Sequence, residues 1–219
     1  MRCKIVSRII DAGLEELSAT LHKMGKLAYR IVSMSLTECL EGEDLHEEVR
    51  EMSDMLVAMA DDVEDKAFEL IARFQPVASD LRTIKSYMKI AYDFARFGRY
   101  ALDISYTNKR LEGVKSCEKW VNLHIHEMGE RTLEMIRLSA DALRSHDPKL
   151  AEKISEKENE VDNLYFDFLN KLMEEKDAAI RCVVSSVLIV RYLERIADHA
   201  TYICESIIYI ATGRKVVLR

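Results

Sequence analysis

Four carboxylates interrupt apolar helical stripes in the second half of the chain. Glu158 and Asp162 are four residues apart, and so are Glu194 and Asp198, so each pair lies on one face of a helix. A buried carboxylate is costly unless it is paired or bound to a cation. Carboxylate oxygens suit hard or borderline cations such as iron, manganese, magnesium or zinc. The four acids therefore predict a metal site.

The two acid pairs are expected to lie at similar heights on facing helices. Glu158 precedes Lys176 by as many residues as Glu194 follows it, so the two glutamates lie level if the chain turns near Lys176. Asp162 lies about one helical turn closer to Lys176 than Glu158 does, and Asp198 lies about one helical turn farther from it than Glu194 does.

A second interpretation of the acids stays open. They could form a solvent-facing patch that is neutralised by Arg191, Arg195 or Lys157, since acid pairs at this spacing are common on helix surfaces. His199 directly follows Asp198 but lies about 100° further round the helix, which favours a role other than metal ligation.

The acids occur in only one of two internal repeats. The segment LHKMGKLAYRI from Leu21 recurs as IHEMGERTLEM from Ile125, and further matches follow in the same order. We infer a duplicated unit of roughly 105 residues. In the first copy the four positions equivalent to the acids are all non-acidic: Ser53, Val57, Ala95 and Arg99.

Helical periodicity predicts an all-α fold in which these acids are held by long helices. Only 7 glycines and 2 prolines occur among 219 residues, which leaves few turns for a sheet. We predict six helices in two pseudo-symmetric antiparallel three-helix bundles, residues 1–110 and 111–219. The predicted helices span roughly 4–40, 45–73, 78–108, 113–145, 149–174 and 177–212. The expected inward face of the first contains Leu14, Leu17, Leu21, Met24, Ala28 and Ile31.

Several helix ends carry recognisable signals. Asp147 is a good N-cap and Pro148 suits the first helical position. Asp177 is a plausible N-cap of the last helix, and Gly213 suits its C-terminal end. Pro76 cannot continue the second helix.

Composition excludes several classes of protein. A net charge of −6 argues against a general nucleic-acid binder. The start of the chain has no signal-peptide pattern, and the longest apolar run is too short to span a bilayer. Five cysteines without a CxxC motif predict reduced thiols in a cytoplasmic protein: Cys3, Cys39, Cys117, Cys182 and Cys204.

Three segments resemble the PhoU family of phosphate-uptake regulators. RYLERIADHATYICESIIYIATGR, from Arg191, resembles the C-terminal family signature. ARFQPVASDLRTIKSYMKIAYDFARFGRYALDI, from Ala72, resembles the first-repeat signature, and KENEVDNLYFDFL, from Lys157, resembles the matching part of helix five. The resemblance covers essentially the whole chain and implies six helices in two bundles.

The same resemblance implies a function. Several family members carry multinuclear iron or zinc clusters on E/DxxxD motifs, which implies Glu158, Asp162, Glu194 and Asp198 as ligands here. The family links a phosphate ABC transporter to a sensor histidine kinase, so membrane association would be peripheral and through these partners. A homodimer is also expected. The first-repeat motif is absent, and Ala197 replaces the usual glycine before Asp198.

We therefore expect a non-catalytic, metal-binding regulator of phosphate uptake and signalling. One alternative is an adaptor for another ion transporter or channel. A carboxylate-metal enzyme is less favoured, since the paired Glu-x-x-His motifs of di-iron enzymes have a single counterpart here, Glu43 and His46, at a turn. The chain also has no phosphate-cradling glycine loop or nucleophile elbow.

Overall fold

A computed structural model describes the backbone of residues 2–115 and 117–218 and the side chains from residue 10 onward within them. The described residues form helices without strands, which confirms the all-α prediction. The helices are α1 (Arg2–Glu41), α2 (His46–Phe74), α3 (Ser79–Leu111), α4 (Lys119–Ser145), α5 (Pro148–Glu152), α6 (Ile154–Glu174) and α7 (Ile180–Thr212).

The apolar stripe of α1 faces the core as predicted. Leu17, Leu21, Met24, Ala28 and Ile31 are buried, and a partly buried leucine one turn earlier packs against them. Burying each large aliphatic side chain contributes about 1.5–3 kcal/mol. The helix is therefore held mainly by its packed face rather than by its own hydrogen bonds.

Three predicted helix ends are confirmed. The Asp147 side chain accepts a hydrogen bond from the backbone N–H of Lys149 at 2.9 Å, with Pro148 at the first helical position. At the end of α7, Gly213 has φ +72° and its N–H bonds to the Tyr209 carbonyl at 2.9 Å. Helix α2 ends just before Pro76.

Three other predicted boundaries were wrong. Helix α4 begins at 119 rather than 113. Gly113 takes a left-handed φ of 59°, and a turn follows in which the Cys117 N–H donates to the Val114 carbonyl at 2.9 Å. The fifth predicted helix is divided at Lys153 into α5 and α6. Ala179, not Asp177, precedes α7, and it provides no side-chain cap.

The helices pack around one connected core. Helices α1, α2 and α3 contact one another, and α4 and α6 contact α7. Contacts of α3 with α7 and of α1 with α4 join these groups, and buried apolar residues of both belong to a single cluster. The boundary between residues 110 and 111 stays a prediction.

Two of the four first-repeat positions equivalent to the acids are closely packed. Ser53 is fully buried and Ala95 is buried, whereas Val57 is partly buried and Arg99 is exposed. A Cβ added to Gly98 would lie 2.9 Å from Leu56 Cδ1 and 3.3 Å from the Ser53 Cα atom. Glycine therefore permits a close approach of α3 to α2 at this point. At Ser53 and Ala95 the first repeat therefore has small, packed side chains, whereas the second repeat has glutamates at the equivalent positions.

The prediction that all cysteines are reduced was wrong. Cys117 and Cys182 form a disulfide with their Cα atoms 5.6 Å apart, joining the segment before α4 to the start of α7. Cys39 and Cys204 are free and buried. Burial raises the pKa of the Cys39 thiol to about 12 and also raises that of Cys204. The side chain of Cys3 lies outside the described residues.

Candidate metal centre

Helices α6 and α7 position the four predicted ligands. A connection of five residues, 175–179, joins the two helices, so they run in opposite directions against each other. Glu158 and Asp198 are buried, with 5% and 3% of their surface exposed, and Asp162 and Glu194 are partly buried. The acids thus lie at the margin of the core, as the interrupted stripe predicts.

Two arginines on α7 pair with the acids of the same helix. Arg191 Nη1 lies 2.9 Å from Glu194 Oε1, and Arg195 Nη1 lies 3.3 Å from Asp198 Oδ2. The side chains of both arginines are more than 40% exposed, whereas the two carboxylates are at most 12% exposed. The arginines therefore cover the acids from the solvent side.

Lys157 does not join these pairs. Its ammonium group lies 3.2 Å from Glu160 and 3.4 Å from Glu134, so it links α6 to α4. Of the three cations that could neutralise the acids, Arg191 and Arg195 are in place.

Glu194 carries the clearest electrostatic signal. Burial and the negative charges of Asp198 and Asp162 together raise the pKa of its carboxyl to about 7, against the opposing effect of Arg191 and Arg195. Asp198 and Asp162 are therefore each close enough to Glu194 to repel its negative charge. Glu194 Oε2 is buried and receives no hydrogen bond from the described residues.

This arrangement fits a cation in donor type. All four side chains offer carboxylate oxygens. Glu194 Oε2 is buried without a hydrogen-bond donor, and a bound cation would offset the cost of burying it. Among the side chains described, those of residues 10–115 and 117–218, however, no three histidine, cysteine, aspartate or glutamate side chains are grouped so that they could hold a metal ion. The positive charge in the structure comes from the two arginines.

Glu194→Gln is expected to stabilise the metal-free protein at pH 8 by about 3 kcal/mol. The folded-state pKa of about 7 lies above the ordinary 4.5. The stability linked to protonation is therefore fully present below about pH 4.5 and is lost as the pH rises through about 7. Urea denaturation in a chelator should show wild type and variant converging near pH 4. A constant difference between pH 4 and pH 8 would contradict this explanation.

His199 belongs to a different contact. Its Nδ1 lies 2.8 Å from Asp93 Oδ1 on α3, and Asp93 is almost fully buried. Burial raises the pKa of Asp93, and His199 opposes that rise. The His199 ring lies against three tyrosines, Tyr92, Tyr100 and Tyr202.

This contact between the repeats was not predicted from the sequence. A signal was available, because Asp93 is an acid within the apolar stretch between Ile90 and Phe94. Its partner could not be found in the same way, since it lies 106 residues further along the chain.

None of the helices in the described part of the chain combines the length and the apolar character that crossing a membrane requires.

Comparison with known proteins gives consistent matches over the chain. The PhoU domain matches residues 21–107 and 125–207. The phosphate-specific transport system accessory protein PhoU homolog of Clostridium acetobutylicum is 34% identical over 220 residues, covering 96% of this chain and 98% of that protein.

Two solved structures share the fold. The crystal structure of PhoU from Pseudomonas aeruginosa has a TM-score of 0.85 at 29% identity and covers 93% of this chain and 99% of that one. The phosphate transport system regulatory protein PhoU from Streptococcus pneumoniae has a TM-score of 0.74 at 24% identity, with 95% and 99% covered.

Proposed function

Because the chain belongs to the PhoU family, we propose that it is a non-catalytic regulator of phosphate uptake. The main support is the match along almost the whole length to a relative named a phosphate-specific transport system accessory protein. The structure offers long packed helices and a carboxylate cluster that is partly neutralised by arginines. Such an arrangement is suited to binding a cation and to docking on a partner protein.

The proposed partners are a phosphate ABC transporter and a sensor histidine kinase on the cytoplasmic side of the membrane. The names of the relatives support the transporter, since they refer to the phosphate-specific transport system. The kinase and a homodimer follow from the family resemblance and need their own test. Pull-down with the intact chain, followed by mass spectrometry, would identify the partners directly.

The second repeat is proposed to bind iron or zinc through Glu158, Asp162, Glu194 and Asp198. The buried, unsatisfied Glu194 Oε2 supports this assignment. Binding would require the acids to move closer together and the Arg191 and Arg195 ion pairs to open. A bound cation would supply positive charge at a surface that Arg191 and Arg195 partly cover. That charge could recruit an anion or bridge to acidic groups of a partner.

Glu194→Ala/Asp198→Ala is expected to abolish stoichiometric iron or zinc in natively purified protein, because two of the four carboxylates are lost. Elemental analysis measures this. In a deletion strain complemented with the variant, phosphate uptake and phosphate-responsive transcription should be only partly restored.

Asp61→Ala/Asp65→Ala is a matched control. These two acids have the same four-residue spacing but are exposed on α2, so metal content and complementation should stay normal. Equal metal content in both double variants would contradict the assignment of the ligands. Normal phosphate responses in the deletion strain, with no transporter or kinase recovered, would favour an adaptor for another transport system. The Arg191 and Arg195 ion pairs are compatible with that alternative, in which the acids act only through their charge.

A further inference from the structure

A cavity of about 450 Å³ lies between α1 and α4, away from the acid cluster. Its apolar lining includes Leu21, Ala140 and Leu143, and Tyr29 lies at its edge with 40% of its surface exposed. Ligand cavities in proteins have this size and combine a mostly apolar lining with a few polar groups. The cavity is thus large enough for a small organic molecule.

The polar groups of this cavity are mainly cationic. Lys26, Arg137 and Arg144 line it and are exposed. Arg144 is 2.9 Å from Asp141. Lys26 and Arg137 form no ion pair with any carboxylate whose side chain the structure describes. Two uncompensated positive charges therefore face the same space, where a phosphate group would be stabilised by charge-assisted hydrogen bonds.

His22 adds a buried polar atom to the same cavity. Its Nε2 is buried and has no hydrogen-bond partner among the described residues. Burial lowers the pKa of His22, and the positive charges of His146, Arg144 and Lys26 lower it further. The potential at this end of the cavity is therefore positive, which favours an anion there.

The equivalent place in the second repeat has a different character. Repeat alignment pairs Gly25 with Gly129 and Lys26 with Glu130. A Cβ added to Gly129 would lie only 2.9 Å from Leu36 Cδ1, so a leucine side chain packs closely at that position. The positive charge at this position, Lys26, is therefore replaced by a negative one, Glu130, in the second repeat.

We propose that this cavity binds an organic phosphate of nucleotide size. The phosphate would contact Lys26 and Arg137, and the flat base would lie on the apolar lining beside Tyr29. Inorganic phosphate would bind the cations but leave the apolar surface uncovered. An uncharged nucleoside would cover the apolar surface but not neutralise the cations. A nucleotide would bind the cations and cover the apolar surface.

Isothermal titration calorimetry of the intact chain in chelator tests the proposal with three probes: ADP, adenosine and inorganic phosphate. ADP is expected to bind at one site, at least about tenfold more tightly than either fragment. Arg137→Gln should weaken ADP binding by about tenfold, since it removes a charged hydrogen-bond donor. Lys26→Gln/Arg137→Gln should weaken it further. The chelator keeps the result independent of metal at the acid cluster.

Arg73→Gln is the matched control, because Arg73 is an exposed arginine on α2, paired with Glu69 and outside the cavity. It should bind ADP as the wild type does. Circular dichroism would verify that the variants remain helical. Absence of ADP binding, unchanged binding in the cavity variants, or equally tight binding of inorganic phosphate or adenosine would each overturn the proposal.

Discussion

Asp93→Ala is expected to lower the free energy of unfolding by about 2–4 kcal/mol, because it breaks a buried hydrogen bond and opens a cavity. Asp93 lies in the α3–α7 interface, and its carboxylate is 2.8 Å from His199 Nδ1. Alanine would remove the partner of a largely buried imidazole and leave a gap among aromatic rings. Urea denaturation followed by circular dichroism at pH 7 measures the loss.

Asp93→Asn distinguishes the contribution of the hydrogen bond to His199 from that of the carboxylate charge. The amide keeps the shape of the side chain and can still bond to the imidazole, so this variant should lose less than half as much stability as the alanine variant. Asp61→Ala, at an exposed position on α2, should change stability by no more than about 0.5 kcal/mol. A loss below about 1 kcal/mol for Asp93→Ala would show that the pair contributes little.

Reduction of the Cys117–Cys182 disulfide is expected to lower the free energy of unfolding by about 4 kcal/mol. The bridge joins positions that are 65 residues apart, so its loss gives the unfolded chain many additional conformations. Thermal unfolding with and without reductant should show the difference as a lower melting temperature in the reduced sample.

Cys117→Ser/Cys182→Ser provides the control for this experiment. Its melting temperature should match that of the reduced wild type and should not respond to reductant, because the remaining described cysteines, Cys39 and Cys204, are buried and free. Alkylation of both Cys117 and Cys182 in unreduced, denatured protein would show that the bridge is not formed.

Local sequence signals predicted much of the fold. The apolar spacing of α1 identified its buried face, and Asp147, Pro148 and Gly213 identified helix ends. These features depend on residues within a few positions of one another. The start of α4 was missed because a turn, closed by the Cys117 N–H and the Val114 carbonyl, precedes the helix without a proline or an N-cap signal to mark its end.

The candidate site was predicted only in part. The spacing of Glu194 and Asp198 placed both on the core-facing side of one helix, and burial of Asp198 agrees with this. The spacing could not show that Arg191 and Arg195 would turn toward these acids. It also could not reveal Cys117–Cys182 or Asp93–His199, since each contact joins distant residues that meet only through tertiary packing.

The α3–α7 contact has a consequence for the order of folding. Helices α1, α2 and α3 follow one another closely and can pair through short connections, as can α6 and α7. The Asp93–His199 contact instead joins residues 106 positions apart, so a long loop must close before it can form. We therefore expect the α3–α7 interface to assemble late. Substitutions at Asp93 should then accelerate unfolding more than they slow refolding.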